Sequence, residues 1–368
     1  MANKNRIFYG SQVAQVRPAT TGNKYGYWYQ PLGVQSVGMN TTFDTQQTFQ
    51  LGALDLYNIS ENVPNVEVTI NKLLDGTAPL YLMCMGGKSG IAGANCSEFN
   101  DYQQSVKGFG GLASNSVDFR LGIYDGVDTS STGTTNDFVL CERMYLSRLS
   151  YTFPIDGNGT EEVSLVGNNK LWSKNESLSD MNGYSFDTNT LKASRLARRH
   201  FIDISTSTLP IASGGMPTGV SATHLQSITI SANLGRENIN ELGAFAPRTR
   251  YATFPIEVTS EFQVVATEGD YVDAKDFLSE SGCSVPYRNL AMLPIKINIC
   301  GALSGTTGYS SDSQLSLFLG SGNQLTSVNY TGGDTGGGNA TVTYSFRNYN
   351  DFYMKATNAY ASGATVTA

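Results

Sequence analysis

The chain states the same long pattern twice. VQSVGMNTTFDTQQTFQLG, Val34 to Gly52, is followed by NVEVTINKLLDG, Asn65 to Gly76. Far downstream, LQSITISANLGRENINELG, Leu225 to Gly243, is followed by PIEVTSEF, Pro255 to Phe262. Gln35-Ser36 match Gln226-Ser227, and Leu51-Gly52 match Leu242-Gly243, at an offset of 226 − 35 = 191. Glu67-Val68-Thr69 match Glu257-Val258-Thr259 at 257 − 67 = 190, which predicts one residue lost from the intervening loop of the second copy. A repeat of this length means two tandem copies of one module.

The repeated unit has a two-residue period. Val66, Val68 and Ile70 oppose Glu67, Thr69 and Asn71, and Phe43, Phe49 and Leu51 oppose Asp44, Gln46, Thr48 and Gln50. Such alternation belongs to antiparallel strands with one face on a core and one in water. A second block repeats too. Leu146–Asn169 aligns without a gap to Leu325–Asn348 at 325 − 146 = 179, so the second copy is shorter by 190 − 179 = 11 residues in between. Asp156-Gly157, between two alternating runs, is a hairpin signal.

A length of 368 residues suits two such modules. The expected layout is an arm with an aromatic loop at 1–33, module 1 at 34–175, a linker at 176–223, module 2 at 224–357 and a tail at 358–368. Short helices are expected at APLYLMCM and near Leu191–His200. Charged residues make up only 15% of the chain, which fits surface buried against copies of itself, since charge is depleted in interface cores.

Net charge is −7, and the densest positive run, Arg195, Arg198, Arg199 and His200, reads as a solvated face or linker rather than a phosphate grip. The five cysteines are unevenly spaced with no CxxC pair, so they read as buried free thiols and not as a metal site. The start, MANKNRIFYG, lacks a signal-peptide core, and no apolar run approaches the roughly 20 residues of a membrane span. Synthesis in the cytoplasm and no membrane span are the expectation. Catalysis is not expected. Neither His200 nor His224 sits beside a Ser or Cys in a recognisable nucleophile setting, TGGDTGGGN lacks the Gly-Lys-Ser/Thr of a phosphate loop, and Glu161 and Glu162 point to opposite strand faces. No cofactor is expected either.

The succession of alternating strand, Gln-Leu-Gly, loop, VEVTINKLLDG and SYTFPIDGNGTEEVSLVGNNK resembles the tail tube proteins (major tail proteins) of long-tailed bacteriophages. The opening ANKNRIFYG is similar to the starts of phage structural proteins. The resemblance covers most of 34–175 and, more weakly, 224–353. It implies a mainly β chain of two tandem tail-tube-like β-sandwich or barrel modules with short flanking helices. It further implies side-by-side joining around a lumen, ring stacking and passage of double-stranded DNA. Most members of that family carry one module and form hexameric rings. Two modules per chain imply a trimeric ring with pseudo-sixfold symmetry.

The implied partners are further copies of the chain, a tape measure protein, a tail terminator, baseplate or tail-tip proteins, and a sheath protein if the tail contracts. The implied location is the virion tail. Candidate lumen residues are Asp44, Gln46, Gln50, Glu67, Glu237, Glu241, Glu257 and Glu261, because an acidic or neutral polar wall does not hold phosphate. Alternation fixes a face but not whether it looks inward or outward. The loops after the repeated Leu-Gly differ in charge, with Asp55 and Glu61 in one and Arg248 and Arg250 in the other. They are candidates for opposite-charge contacts between stacked rings. The competing reading is a receptor-binding or capsid-decorating β protein.

Overall fold

The computed structural model describes residues 7, 9–18, 31–75, 79–84, 98–99, 102–103, 109, 115–124, 135–174, 196–204, 224–266, 269–270, 272, 294–301, 313–333, 338–357 and 359–360. The Gly-rich stretch after Cys84, the tip at 125–134, most of the helix expected near Leu191–His200 and the tail beyond 360 lie outside them.

The protein is mainly β and antiparallel. The first half carries β1 (Gln12–Pro18), β2 (Val34–Thr42), β3 (Thr45–Phe49), β4 (Leu56–Glu61), β5 (Asn65–Leu73) and the short helix α1 (Leu80–Cys84). It continues with β6 (Glu98–Phe99), β7 (Tyr102–Gln103), β8 (Ser116–Tyr124), β9 (Thr135–Pro154), β10 (Thr160–Gly167) and β11 (Asn169–Lys174). The second half carries β12 (Ile202–Ile204), β13 (Leu225–Asn233), β14 (Arg236–Ile239), β15 (Thr249–Ala252) and β16 (Glu257–Val265). It ends with β17 (Lys296–Gly301), β18 (Ser313–Phe318), β19 (Gln324–Thr331), β20 (Thr341–Tyr349), β21 (Tyr353–Thr357) and β22 (Ala359–Tyr360).

One large sheet runs through both halves in the order β19-β20-β16-β13-β9-β10-β5-β2. The first part of β9 leaves this path to pair with β8 and β11, and β8 pairs with β1. β9 therefore turns the corner of a sandwich, with Arg143 in the left-handed region (φ 52) where its partners change. The second half repeats the arrangement as a separate sheet, β12-β17-β18-β21, with β7 added at one edge. There the strand equivalent to β9 is broken into β18 and β19 at Gly320 (φ +88), where an added Cβ would strike Asn348 and Asp351. β1 lies in the expected arm and β12 in the expected linker, yet the two are counterparts in this arrangement.

Pairing corrects part of the sequence alignment. β2 and β13 keep the offset of 191, as in Val37 and Ile228, but Val37 pairs with Ile70 and Ile228 with Phe262. β5 and β16 are thus related by 262 − 70 = 192, and the counterpart of Glu67 is Thr259, not Glu257. Likewise Leu149 pairs with Val163 and Val328 with Tyr344, giving 344 − 163 = 181 for β10 and β20. The gapless match was two residues out there as well. A slip of two leaves every side chain on its own face, so an alternating sequence barely resists it.

The core lies between the layers as one contiguous cluster. Val66, Val68, Ile70, Leu149, Tyr151, Ile228, Ile230, Phe262 and Tyr344 fill it from the large sheet. Ala14, Val16, Phe119 and Val139 cover the first half, and Ile297, Leu317 and Met354 cover the second.

Candidate functional site

The two halves join through β13 and β9. Seven register pairs run from Ser227↔Pro154 to Asn233↔Arg148. The seam is tight on its core side, where Ile228, Ile230, Leu149 and Tyr151 are all buried. Beyond it, the Leu234 amide donates to the Ser147 carbonyl at 2.8 Å, and the Leu234 side chain is fully buried.

The outer edges of the same sheet are β2 and β19, which are the repeat counterparts of β13 and β9. Among the described residues neither has a second strand partner. Their core-side residues are correspondingly less covered. Val37 and Met39 are half-buried where Ile228 and Ile230 are buried, and Tyr330 is 49% exposed where Tyr151 is at 0%. Phe43, the counterpart of Leu234 at 234 − 43 = 191, is 73% exposed. Among the described residues the chain thus makes this seam once, between β13 and β9, and leaves the counterpart edges β2 and β19 without a further strand.

Each half also projects a two-stranded arm, β3–β4 and β14–β15. The tips are alike. Gly52 and Gly243 both sit at φ +87, and the flanking Leu51 and Leu242 are fully exposed. The roots differ. On β14–β15, the Arg250 guanidinium donates to Asn65 Oδ1 at 3.1 Å and to the Gly167 carbonyl at 3.4 Å. Arg236 donates to the Leu146 carbonyl at 2.7 Å and lies 5.5 Å from the Tyr145 ring centroid. Burial pulls the Arg236 guanidinium down to about 10 and lowers that of Arg250. The second half's arm is therefore anchored on the first half. On β3–β4 the residues at those positions are Thr45 and Ile59, and every strand residue of that arm is exposed.

These placements sort the candidates read from the sequence. Glu67, Glu257 and Glu261 lie on the face of the large sheet opposite the core. Asp44, Gln46 and Gln50 belong to the β3–β4 arm and its root, and Glu237 and Glu241 to the β14–β15 arm or its tip, off the large sheet. Asp44 accepts from the Asn62 side chain at 3.0 Å.

The charge contrast between the loops is reduced. Arg248 pairs within its own arm with Glu241 at 2.8 Å, and Arg250 is a buried anchor in β15, not a loop-tip residue. Its guanidinium is held by the first half because the strand period turns it inward. Asp55 and Glu61 remain exposed.

The face opposite the core carries Ser, Thr, Asn and Gln at most strand positions, as in Asn40, Thr69, Ser150, Ser231, Gln263, Thr343 and Asn329. Its charges are four glutamates, Glu67, Glu162, Glu257 and Glu261, against Arg148 and Arg347. Arg347 pairs with Glu257 at 2.5 Å. Glu162 was missed in the sequence as a member of this face, although its parity in β10 marks it.

A buried cluster was also missed. Glu161 accepts from the Leu80 and Tyr81 amides at 2.7 and 2.9 Å and from the Tyr151 hydroxyl at 2.7 Å. Lys72, its register partner on β5, is fully buried and bonds Asp75 at 2.9 Å. Burial raises the Glu161 carboxyl despite the nearby Lys72, and pushes the Tyr151 hydroxyl well above its ordinary value. Cys84 and Cys141 are buried free thiols, as expected of the described cysteines, and burial raises the Cys141 thiol to about 11. No helix among the described residues is long and apolar enough to cross a membrane.

No protein-family model and no curated protein sequence matches the chain. Among solved structures it is similar to a chain from the cryo-EM structure of the anti-feeding prophage baseplate, 6-fold symmetrised, at 7% identity and a TM-score of 0.31. That match covers 47% of this chain and 98% of the other.

Proposed function

We propose that this protein is a structural subunit of a bacteriophage tail, assembling through its open sheet edges into rings that stack as the tail tube. The carrying observation is the β13–β9 seam together with the free edges β2 and β19. A seam between unlike edges is heterologous, and repeating it from chain to chain closes a ring when the rotation per step allows. Closure removes the exposed edges, which otherwise invite uncontrolled strand pairing. Three chains then supply six modules, joined alternately within and between chains.

The hydroxyl- and amide-rich face of the large sheet lines the lumen in this reading. It offers DNA few cations, and its glutamates repel phosphate, so the duplex slides without being held. No catalytic step is assigned. Partners follow from the role: a tape measure protein inside, terminator and tip or baseplate proteins at the ends, and a sheath if the tail contracts.

Electron microscopy of the purified chain under assembling conditions tests the reading. Hollow stacked rings of three chains are expected. Six chains per ring overturn the stoichiometry, and discrete soluble oligomers that bind host cells favour the receptor-binding alternative. Lysine at Glu67, Glu162 and Glu261 should leave tubes intact but make them retain DNA at low salt. Unchanged DNA passage removes the lumen assignment.

A further inference from the structure

We infer that the junction between chains is an arm-and-edge dock in which Phe43 and the β3–β4 arm of one copy seat on the second half of the next copy, with Asn40 opposite Asn329. The inference rests on the ring reading and specifies its interface. Three independent features of the single chain lead to it.

The first is register. Inside the chain Ser231 of β13 faces Ser150 of β9. Their repeat counterparts are Asn40 at 231 − 191 = 40 and Asn329 at 150 + 179 = 329, and both stand on the face away from the core. The neighbouring pairs then become Met39 with Tyr330 and Thr41 with Val328. This puts the half-covered Met39 and the exposed Tyr330 together on the core side, as Ile230 and Tyr151 are within the chain. The β-bulge in β9 opposite Ser164/Leu165 recurs in β19 at Leu325/Ser327, so the two edges share shape as well as sequence parity.

The second is Phe43. Its counterpart Leu234 is fully buried at the internal seam, beside Ser147. On the next copy the residue equivalent to Ser147 is Thr326, at the exposed end of β19. A large aromatic ring left 73% in water at that position has the same place to go.

The third is the arm. Its cis counterpart leans on Tyr145, Leu146, Asn65 and Gly167, whose equivalents on the second half are Gln324, Leu325, Glu257 and Asn348. Where the internal dock uses Arg236 and Arg250, the arm between chains offers Thr45 and Ile59. The two docks share geometry but not chemistry: two guanidiniums hold the internal one, whereas Thr45 and Ile59 bring no charge to the external one. The chain–chain junction is therefore less salt-sensitive than an arginine-anchored dock.

Cysteine pairs read the register. Directly opposed residues on antiparallel strands stand within disulfide reach, whereas a one-residue shift points the thiols to opposite faces. Asn40→Cys combined with Asn329→Cys should give oxidised dimers and trimers on non-reducing gels. Asn40→Cys with Val328→Cys, and the unmodified chain with its own thiols, should not. In parallel, Phe43→Asp should keep the melting curve of the free chain yet weaken assembly by about thirtyfold or more, the scale of a lost hot spot. If rings form but the 40–329 pair does not cross-link, and Phe43→Asp assembles normally, this dock is wrong while the ring stands. If the unmodified chain never assembles, the ring reading itself fails.

Discussion

The two halves share one strand plan but solve the interior differently. In the first half, register partners Lys72 and Glu161 sit on the core side of β5 and β10, both fully buried, and are tied to Asp75, Tyr151 and α1. At the equivalent positions the second half has Val264 and Val342, also register partners and also fully buried. Buried ion pairs often contribute no more than well-packed apolar residues, because desolvation offsets the Coulombic gain. The difference therefore tells more about α1 than about strength. Glu161 holds the first two amides of that helix, which a valine could not do. The halves also differ at their roots, where one arm is anchored and the other is left bare.

The two interiors diverge most at Glu161. Glu161→Val leaves the Leu80 and Tyr81 amides and the Tyr151 hydroxyl without their acceptor and leaves Asp75 alone to balance the buried Lys72 ammonium, and should cost about 3–5 kcal/mol in denaturant unfolding. Adding Lys72→Val recreates the pair of the second half and should recover part of that loss, but not the share owed to the two amides. A double variant as unstable as the single would show that Lys72 was never the problem.

Next in size is the contrast between Leu234 and Phe43. Leu234→Ala should cost about 2–5 kcal/mol in the free chain, as buried truncations do. Phe43→Ala should change the free chain by less than about 0.5 kcal/mol, as exposed positions usually do. Comparable losses at both would mean that Phe43 is already covered within the chain.

The arms give a smaller effect. Arg250→Ala leaves Asn65 and the Gly167 carbonyl short of a donor and should cost about 1–3 kcal/mol, whereas Ile59→Ala on the bare arm should be near neutral. Equal costs would remove the distinction between anchored and free arms.

The smallest is a pH dependence. The Glu161 carboxyl is raised in the folded state, so its contribution is fully present below its unfolded value and is lost as pH rises through the folded one. Stability of the unmodified chain should therefore fall as pH rises from about 4.5 upward, and Glu161→Gln should flatten that fall. A steeper fall in the variant would reverse the assignment.

Much of this was legible in the sequence. The two-residue period marked the strands, and Asp156-Gly157 marked the β9–β10 turn. The relative placement of β5 and β16 was not, because Glu-Val-Thr can slide by two along an alternating strand without moving any residue to the wrong face. The apolar side of Phe43, Phe49 and Leu51 looked like core packing. Alternation shows that a face wants cover, not whether its own chain supplies it, so a free-standing arm read as part of the main sheet. Lys72 and Glu161 could have been found. Each falls in phase with the buried Val68 and Ile70 or Val163 and Leu165, and a charge on that parity is the signal.

The twenty residues of β9 pair with β8 and β11 over their first part and with β10 and β13 over their second. A tandem repeat would ordinarily melt in two steps, one per unit. This strand belongs to both layers of the first half and to the seam with the second, so neither half can open there without exposing the other. Unfolding should then be a single cooperative event, and the amides of Leu149 to Phe153 should be among the last to exchange with solvent deuterium.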